Sequence, residues 1–431
     1  MPEAPAICFL TLGCPKNEVD SDRMAAAVAA STFRLTDDLE DADVVVLNTC
    51  AFIEAATEES IAEALALTGE WAPAREGRRV LVAGCMPSRY GADLAAAMPE
   101  VDAFIPVAEE GALLGTLEQL LGVSVAATQG PSRTTPGATA YVKVTEGCDR
   151  RCSYCTIPSI RGRLVSSPPQ AVEAEARELL SRGARELVLV GQDIASYGRD
   201  LEGDLDLASL LRRLDSLEGD FRLRLMYVQP DGVSDRLLAA MAESARVCAY
   251  LDVPLQHAAA PVLRAMGRRG SSRSHLELLA RIRGVLPSVT LRTTVMTGFP
   301  GETAQHFAEL EDFLAKAAFD YVGVFAYSRE EGTPAAALPG QVRSAVRAAR
   351  AQRLRDLADA VGMSRAEAHI GSAERVLIEG VDEDGALWGR TCGQAPDVDG
   401  ITLLEGTADA GTFVDVRIID AVGYDLVGRL P

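Results

Sequence analysis

The sequence has little positive charge. Its 431 residues include 42 Lys and Arg against 62 Asp and Glu, which leaves a formal net charge of −20 at pH 7. Such an acidic surface repels phosphate backbones, so any role on nucleic acid would require a local basic patch. A basic protein is the more natural macromolecular partner.

Long apolar runs and a secretion signal are also missing. No uncharged apolar run reaches the ~18 residues of a membrane-spanning helix, and the first residues, MPEAPAICFL, lack a basic start followed by a long apolar stretch. Nine cysteines are too few for a disulfide scaffold, and their odd number argues against complete pairing. These absences predict a cytoplasmic protein without a membrane segment, in which clustered cysteines serve metal binding or catalysis.

Apolar residues make up 48% of the chain, enough for several cores, and the length predicts about three domains. In residues 1–122 the apolar runs ICFL, DVVVLN, VLVAG and AFIPV alternate with helical patterns. This alternation predicts an α/β domain with a doubly wound parallel sheet. Residues 123–139 are rich in Ser, Thr, Pro and Gly and predict a linker.

A second alternating block covers residues 140–366. Strand-like runs occur at 141–145, 186–191, 222–226, 249–254, 291–296 and 321–327. Six β/α units are too few for a closed eight-fold barrel and predict a partial (β/α)6 barrel, with its chemistry at the C-terminal ends of the strands. The block ends in a predicted Arg-rich helix at 341–366.

The last block, residues 367–431, has short β-prone runs separated by Gly and Asp clusters. This pattern predicts a small antiparallel β-barrel. The block contains 13 acidic residues and four arginines, a net charge of −9.

Three cysteines lie close together directly after the first strand of the second block. Cys148, Cys152 and Cys155 are separated by three and two residues, so each could bind one corner of a [4Fe–4S] cube. No fourth cysteine follows nearby, which would leave one iron open to a substrate or cofactor. The alternatives are a zinc knuckle with a distant fourth ligand, or three free thiols. Only four histidines occur in the chain, none at knuckle spacing.

Three further cysteines follow successive predicted strands of the first block. Cys14, Cys50 and Cys85 each come just after a strand, and the C-terminal ends of parallel strands share one edge of the sheet. We therefore expect a second three-cysteine cluster site with an open iron. The alternative is that these are small buried hydrophobes, which is how we interpret Cys8, Cys248 and Cys392.

These motifs resemble a known family. Cys148, Cys152 and Cys155, with Tyr154 before the last of them, resemble the radical S-adenosylmethionine (SAM) signature. Residues 12–17 (LGCPKN), 48–53 (NTCAFI) and 84–85 (GC) resemble the N-terminal motifs of the methylthiotransferases, and a final barrel similar to a TRAM domain extends the resemblance over essentially the whole chain. Residues 15–17 (PKN) and 157–162 (IPSIRG) resemble the RimO branch, which modifies an aspartate of small-subunit ribosomal protein S-twelve. The tRNA-modifying branch usually has Gln-Met-Asn or similar at the first position.

The resemblance implies a SAM-dependent transferase that places sulfur and a methyl group on the β-carbon of that aspartate. One [4Fe–4S] cluster, at Cys148, Cys152 and Cys155 (the radical SAM site), would bind SAM and cleave it to a radical that abstracts hydrogen. A second, at Cys14, Cys50 and Cys85 (the auxiliary site), would deliver the sulfur. No catalytic side chain is implied beyond these ligands. A sulfur donor, a low-potential electron donor and a monomeric state are also implied.

The resemblance also implies a set of SAM contacts near the ends of the barrel strands. The residues are Tyr154, Gln192, Asp193, Gln256, His257, Arg292, Thr294, Gly298 and Glu302. Residues 298–302 could instead form an ordinary strand-to-helix turn, and His257 could be only a polar residue near the barrel mouth. Arg161 and Arg163 are interpreted as substrate contacts or as solvated loop charges.

Two other functions are compatible with clustered cysteines. The first is the same chemistry on an adenosine of tRNA, and the second is an iron–sulfur electron carrier. A carrier predicts four ligands per cluster and has no use for a six-unit barrel. A tRNA reader is expected to carry cations on its terminal barrel, which here has a net charge of −9. One basic feature remains, a row of arginines in the predicted helix at 341–366. It could contact RNA or form the solvated face of that helix. The row consists of Arg343, Arg347, Arg350, Arg353 and Arg355. We expect the acidic barrel to dock a basic ribosomal protein.

Overall fold

A computed structural model describes residues 4–124, 126, 130–134, 137–382 and 385–430. The chain divides into two compact units. One, the sheet unit, contains Met1–Thr135, Glu146–Arg150 and Cys155–Val165, and the other, the barrel unit, contains Pro136–Thr145, Arg151–Tyr154 and Ser166–Pro431. The predicted linker at 123–139 lies partly outside the described residues.

The sheet unit is built on a five-stranded parallel sheet. Its strands are β1 (Ala6–Thr11), β2 (Arg34–Leu35), β3 (Val44–Thr49), β4 (Arg79–Gly84) and β5 (Ala103–Pro106). Its helices are α1 (Pro15–Ala29), α2 (Glu54–Ala66), α3 (Cys85–Ala97) and α4 (Leu113–Leu121). The strand order is β2-β1-β3-β4-β5, with every pairing parallel, which confirms the predicted doubly wound sheet.

Both faces of this sheet are buried. Val45 and Val82 belong to the apolar core on one face, and Val46 and Leu81 belong to the core on the other. Strands that are covered on both faces consist of continuous apolar runs, and such runs can be recognised in a sequence.

The next elements belong mainly to the barrel unit. The strands are β6 (Thr139–Lys143), β7 (Thr145–Glu146), β8 (Val165–Ser166), β9 (Glu186–Val190), β10 (Arg222–Leu225), β11 (Tyr250–Asp252), β12 (Thr290–Thr297) and β13 (Tyr321–Ala326). The helices are α5 (Ile157–Ile160), α6 (Pro169–Ser181), α7 (Leu207–Asp215), α8 (Asp235–Glu243), α9 (Ala260–Ala265), α10 (Ser272–Val285), α11 (Ala304–Ala317) and α12 (Ser344–Glu367).

Six strands of this block form two parallel ladders, β10-β9-β6 and β11-β12-β13. A parallel bridge between Leu223 and Val247 continues the hydrogen bonding from β10 to the segment before β11. All six predicted strand runs are present, and one apolar core underlies both ladders. The partial (β/α)6 architecture is therefore confirmed.

The chain ends in a closed five-stranded barrel. Its strands are β14 (Ala373–Val381), β15 (Leu387–Arg390), β16 (Thr402–Glu405), β17 (Phe413–Val422) and β18 (Asp425–Arg429), in the order β14-β15-β16-β18-β17. Four pairings are antiparallel, as predicted for the whole barrel, whereas β16 and β18 pair in parallel. Across both units, none of the described helices has the length and apolarity needed to span a membrane.

Candidate metal centres

The auxiliary cysteines stand at one edge of the sheet. Cys14 follows β1 and is the N-cap residue of α1, Cys50 follows β3, and Cys85 is the first residue of α3, directly after β4. Because β1, β3 and β4 are neighbours in the sheet, their C-terminal ends lie side by side. The chain order reverses between β1 and β3, and this topological switch point is where open α/β sheets bind their ligands.

Two glycines allow the turns to come this close. Gly13 has φ +103°, and a Cβ there would lie 2.6 Å from the Cβ and 3.2 Å from the Sγ of Cys50. Gly84 has φ +90°, and its Cβ would lie 2.1 Å from Oδ1 of Asn48. Any other residue would be strained in this left-handed region and would displace the neighbouring turn.

The side-chain amide of Asn17 organises the auxiliary site. Its Oδ1 lies 3.7 Å from Sγ of Cys14 and 3.8 Å from Sγ of Cys85. Its Nδ2 donates to the carbonyls of Leu12 and Thr49, both at 2.9 Å, which fixes the orientation of the amide. Cys14 and Cys85 therefore lie beside the same amide oxygen, and Cys50 comes from the strand end between theirs. That the three bind one cluster stays a prediction.

Burial makes an isolated thiolate costly at this site. It raises the pKa of Cys50. Burial, together with the neighbouring cysteines, also raises the pKa of Cys85 to about 11, although Arg161 acts to lower it. A positively charged iron core would reverse this cost, because metal binding stabilises the deprotonated sulfur. Three neighbouring cysteines, of which Cys85 is buried and Cys14 and Cys50 are half-buried, thus fit a cluster in the chemistry of their donors.

A single metal ion fits less well than a cluster. Among residues 4–124, 126, 130–134, 137–382 and 385–430, no group of three or more His, Cys, Asp or Glu side chains could hold one ion. A cubane cluster does not require three side chains around one ion, because each cysteine binds a different corner iron.

The sequence interpretation missed the position of Arg161. Its side chain is only 2% exposed, and Nη1 donates to Oδ2 of the buried Asp20 at 2.6 Å. Nη2 donates to Oδ1 of Asn17 at 2.6 Å and to Sγ of Cys85 at 3.3 Å. Arg161 is thus a buried part of the auxiliary site, whereas Arg163 is 89% exposed and pairs with Asp149.

The cysteines of the radical SAM site lie within eight residues of one loop, so their grouping follows from the chain itself. Cys148 is buried, and Cys152 and Cys155 are half-buried. In the barrel unit, Arg268 donates to Sγ of Cys152 at 3.9 Å and to the Tyr154 hydroxyl at 3.4 Å. Arg268, which also donates to the carbonyl of Pro254 at 2.7 Å, was not singled out in the sequence.

Three of the predicted SAM contacts belong to one hydrogen-bonded group at the end of β12. The Glu302 carboxylate accepts from the backbone N–H of Gly298 at 2.8 Å and from Nη1 of Arg350 at 2.6 Å. Nε2 of His257 lies 3.3 Å from Oε2 of Glu302, and Nδ1 accepts from the Ala259 N–H, which places the ring proton on Nε2. Burial would raise the pKa of Glu302, but these donors hold it below its usual value. The group fixes the turn after β12, and its contact with SAM stays a prediction.

The other predicted SAM contacts are more dispersed. Gln192 and Asp193 follow β9, and the buried Asp193 accepts from the Ser196 hydroxyl at 2.7 Å. Gln256 has φ +70°, an uncommon conformation for a non-glycine residue and one that accumulates at functional sites.

Arg292 and Thr294 lie on β12, and their contacts are with other residues than those of the Glu302 group. Arg292 lies 3.6 Å from Asp252 and 3.3 Å from Asp399 of the terminal barrel, and its Nη1 donates to the Thr294 hydroxyl at 3.5 Å. Their role toward SAM also stays a prediction.

The three remaining cysteines differ in burial. Cys8 and Cys248 are buried, as expected for small hydrophobes, whereas Cys392 is exposed. The expectation of burial is wrong for Cys392, because it lies in the turn after β15 rather than on a strand.

Three family models match this chain in order. Residues 6–106 match an uncharacterized protein family, UPF0004, residues 142–314 match the radical SAM superfamily, and residues 370–430 match a TRAM domain. The radical SAM and TRAM predictions are confirmed.

Relatives match over nearly the full length. The chain is 41% identical to "Ribosomal protein uS12 methylthiotransferase RimO" of Pelobacter propionicus, over 99% of this chain and 98% of the relative. It is 43% identical to the protein of the same name from Syntrophus aciditrophicus, with the same coverage of both chains.

A solved structure shares the fold at low identity. The radical SAM methyltransferase TsrM from Kitasatospora setae, determined with cobalamin and a [4Fe–4S] cluster bound, matches with a TM-score of 0.55 at 14% identity. The match covers 90% of this chain and 87% of TsrM.

Proposed function

Because this chain belongs to the RimO family of ribosomal protein uS12 methylthiotransferases, we propose that its two cysteine triads hold two [4Fe–4S] clusters serving one reaction. The protein is a SAM-dependent methylthiotransferase, with SAM and an iron–sulfur cluster as cofactors. The proposed target is the β-carbon of an aspartate of uS12. A side-chain base could not deprotonate that carbon at neutral pH, so the reaction needs cofactor chemistry.

The convergence of Cys14, Cys50 and Cys85 around Asn17 is the observation that carries the two-cluster proposal. Each sulfur comes from a different strand end, and two of them lie within 4 Å of the same amide oxygen. Three cysteines on one cubane leave the fourth iron without a protein ligand. When bound, the clusters and SAM would supply the hydrogen abstraction and the sulfur transfer.

The protein's own part is to hold these groups in place. We assign the radical SAM site to Cys148, Cys152 and Cys155, which would hold the cluster that binds SAM. The proposed contacts are Tyr154, Gln192, Asp193, Gln256, His257, Arg292, Thr294, Gly298 and Glu302. The rigid turn formed by Gly298, Glu302 and His257 would present its backbone to SAM.

Charge supports a basic protein as the substrate. Exposed carboxylates of the terminal barrel include Asp409, Asp415 and Asp420, and we propose that this domain docks uS12. Two arginines of α12 pair with carboxylates of the barrel unit, since Arg350 pairs with Glu302 and the 70% exposed Arg353 pairs with Glu311. These two cations are already matched by carboxylates, which weakens the row as a phosphate-binding site.

The proposal assigns residues 1–122 to the auxiliary-cluster domain, 123–139 to a linker, 140–366 to the radical SAM domain and 367–431 to the TRAM-like barrel. A sulfur donor and a low-potential electron donor complete the reaction. We further propose that the protein acts as a monomer in the cytoplasm.

Two triple variants test the division of labour between the triads. The wild-type protein, reconstituted anaerobically, should bind about eight irons, and replacing Cys148, Cys152 and Cys155 by Ala should leave about four and abolish 5′-deoxyadenosine formation from SAM. Replacing Cys14, Cys50 and Cys85 by Ala should also leave about four irons but should preserve 5′-deoxyadenosine formation while abolishing methylthiolation.

The remaining cysteines provide a matched control. The Cys8→Ala, Cys248→Ala, Cys392→Ala triple variant removes the same number of thiols and should keep about eight irons and both activities. An unchanged iron content in either ligand variant would overturn the two-cluster proposal.

A further inference from the structure

We propose that Arg161 is a positioning residue for the auxiliary cluster, holding the Cys85 sulfur in place and setting the reduction potential of the cluster. The inference rests on the proposed function, because it requires that the auxiliary site holds a cluster. It concerns a residue that touches a ligand sulfur but is not itself a ligand.

The geometry places one guanidinium nitrogen between two acceptors. Nη2 of Arg161 lies 2.6 Å from Oδ1 of Asn17 and 3.3 Å from Sγ of Cys85. An amide oxygen that faces two sulfurs would repel them once they are thiolates. A donor shared between the oxygen and the Cys85 sulfur removes that repulsion, and bonds from a charged donor to an anion are the stronger kind.

The opposite end of the guanidinium is fixed by carboxylates. Nη1 lies 2.6 Å from Asp20, whose side chain is 1% exposed, and 3.3 Å from the more exposed Glu146. Arginine remains protonated in proteins, so the positive charge beside Cys85 is permanent. Without it, the buried carboxylate of Asp20 would be left uncompensated near a cluster that is itself anionic.

A fixed positive charge and a hydrogen bond to a ligand sulfur both favour the reduced, more negative cluster. Hydrogen bonds to the sulfurs and the net charge around a cluster are known determinants of its potential. Arg161 is therefore expected to raise the potential of the auxiliary cluster relative to a protein that lacks it.

The chain anchors Arg161 independently of its polar contacts. Ile160 is buried in the apolar core of the sheet unit, and the Thr156 hydroxyl donates to the Phe52 carbonyl at 3.0 Å. The segment from Cys155 to Arg161 is thus packed on the sheet unit at both ends of α5, which limits the movement of the guanidinium.

The test uses the full chain carrying Cys148→Ala, Cys152→Ala and Cys155→Ala, so that the auxiliary cluster is observed alone. In this background we compare Arg161→Gln, Arg161→Lys and the control Arg78→Gln by redox titration followed by electron paramagnetic resonance. Arg78 is a buried arginine of the same unit, bonded to Trp71 and Glu40.

Arg161→Gln should lower the ratio of reduced to oxidised cluster at fixed potential at least tenfold, a shift of about 59 mV to more negative potential for one electron. Arg161→Lys keeps the charge but loses the forked geometry, so it should shift the potential in the same direction by less. Arg78→Gln should lower stability without shifting the potential.

A second variant keeps the test available if Arg161→Gln does not fold. Arg161→Gln combined with Asp20→Asn removes the uncompensated carboxylate, and the loss of the hydrogen bond should still lower the potential. If the Arg161 variants bind about four irons and their potential is unchanged, or if Arg78→Gln shifts the potential equally, the role of Arg161 is overturned and the auxiliary cluster is not. Absence of iron from the background protein would overturn the auxiliary cluster as well.

Discussion

Glu186 stabilises the interior of the barrel unit through three arginines. It is the first residue of β9 and fully buried, and it pairs with Arg222, Arg224 and Arg390. Burial would raise the pKa of Glu186, but the three guanidinium charges outweigh it and hold the pKa well below the usual value of 4.5. Since Arg390 lies on β15, this carboxylate links the six-strand block to the terminal barrel.

Replacing Glu186 by Gln should lower the free energy of unfolding by about 3–5 kcal/mol, because it leaves buried guanidinium groups without their shared counter-charge. The contribution of Glu186 is present above its unfolded pKa near 4.5 and is lost as the pH falls toward the depressed folded pKa. The loss in Glu186→Gln, measured by denaturant unfolding, should therefore shrink as the pH is lowered below 4.5.

Glu277→Gln is the control, because Glu277 is 62% exposed and pairs with the 88% exposed Arg273. It should cost at most about 0.5 kcal/mol. Equal losses in the two variants would show that the buried pairs contribute no more than a surface pair.

Sequence patterns located the cysteines but not the charged residues that surround them. Cys148, Cys152 and Cys155 are local in sequence, and strand ends assembled Cys14, Cys50 and Cys85. Arg161, by contrast, meets Asp20 across a separation of 141 residues. Such a contact is decided by how segments pack, and no local period marks it.

At the scale of elements, the auxiliary site is a set of tight strand-to-helix turns. The turn from β4 into α3 leaves no room beside Gly84, where a Cβ would lie 3.0 Å from the Thr49 carbonyl and 2.1 Å from Asn48. The tight turn at Gly84 therefore determines where Cys85 lies.

Gly84→Ala should displace Cys85 and reduce the iron bound by the reconstituted protein from about eight toward about four. Gly77→Ala is the matched control. Gly77 has φ +92°, close to the +90° of Gly84, but a Cβ there would meet nothing within 4 Å. It should cost about 1 kcal/mol of stability and keep the full iron content. Equal iron in the two variants would show that crowding at Gly84 does not matter.

Element type was largely predictable because the long parallel strands are buried and apolar. The two-residue strand β2 carries no such run, and β15 and β16 lie among Gly and Asp residues that favour turns. The parallel pairing of β16 with β18 was also missed, since it depends on the order in which the barrel closes rather than on alternation within a strand.

At the scale of the whole molecule, the acidic residues of the terminal barrel are of two kinds: some are paired inside the fold and others are exposed. Asp399 and Glu379 face inward, where they pair with Arg292 and Arg390. The exposed carboxylates of the barrel remain for a partner, so only part of its −9 net charge is available for docking. The order of the blocks was readable from the sequence, whereas this division required the fold.

The most direct test is a competition between the two substrates. Reconstituted protein is given SAM, sulfide and a reductant together with both uS12 and tRNA, and each is then analysed by mass spectrometry. A methylthio group on an aspartate of uS12, with none on any nucleoside, is the predicted result. A methylthio group on a nucleoside and none on uS12 would contradict the proposed function.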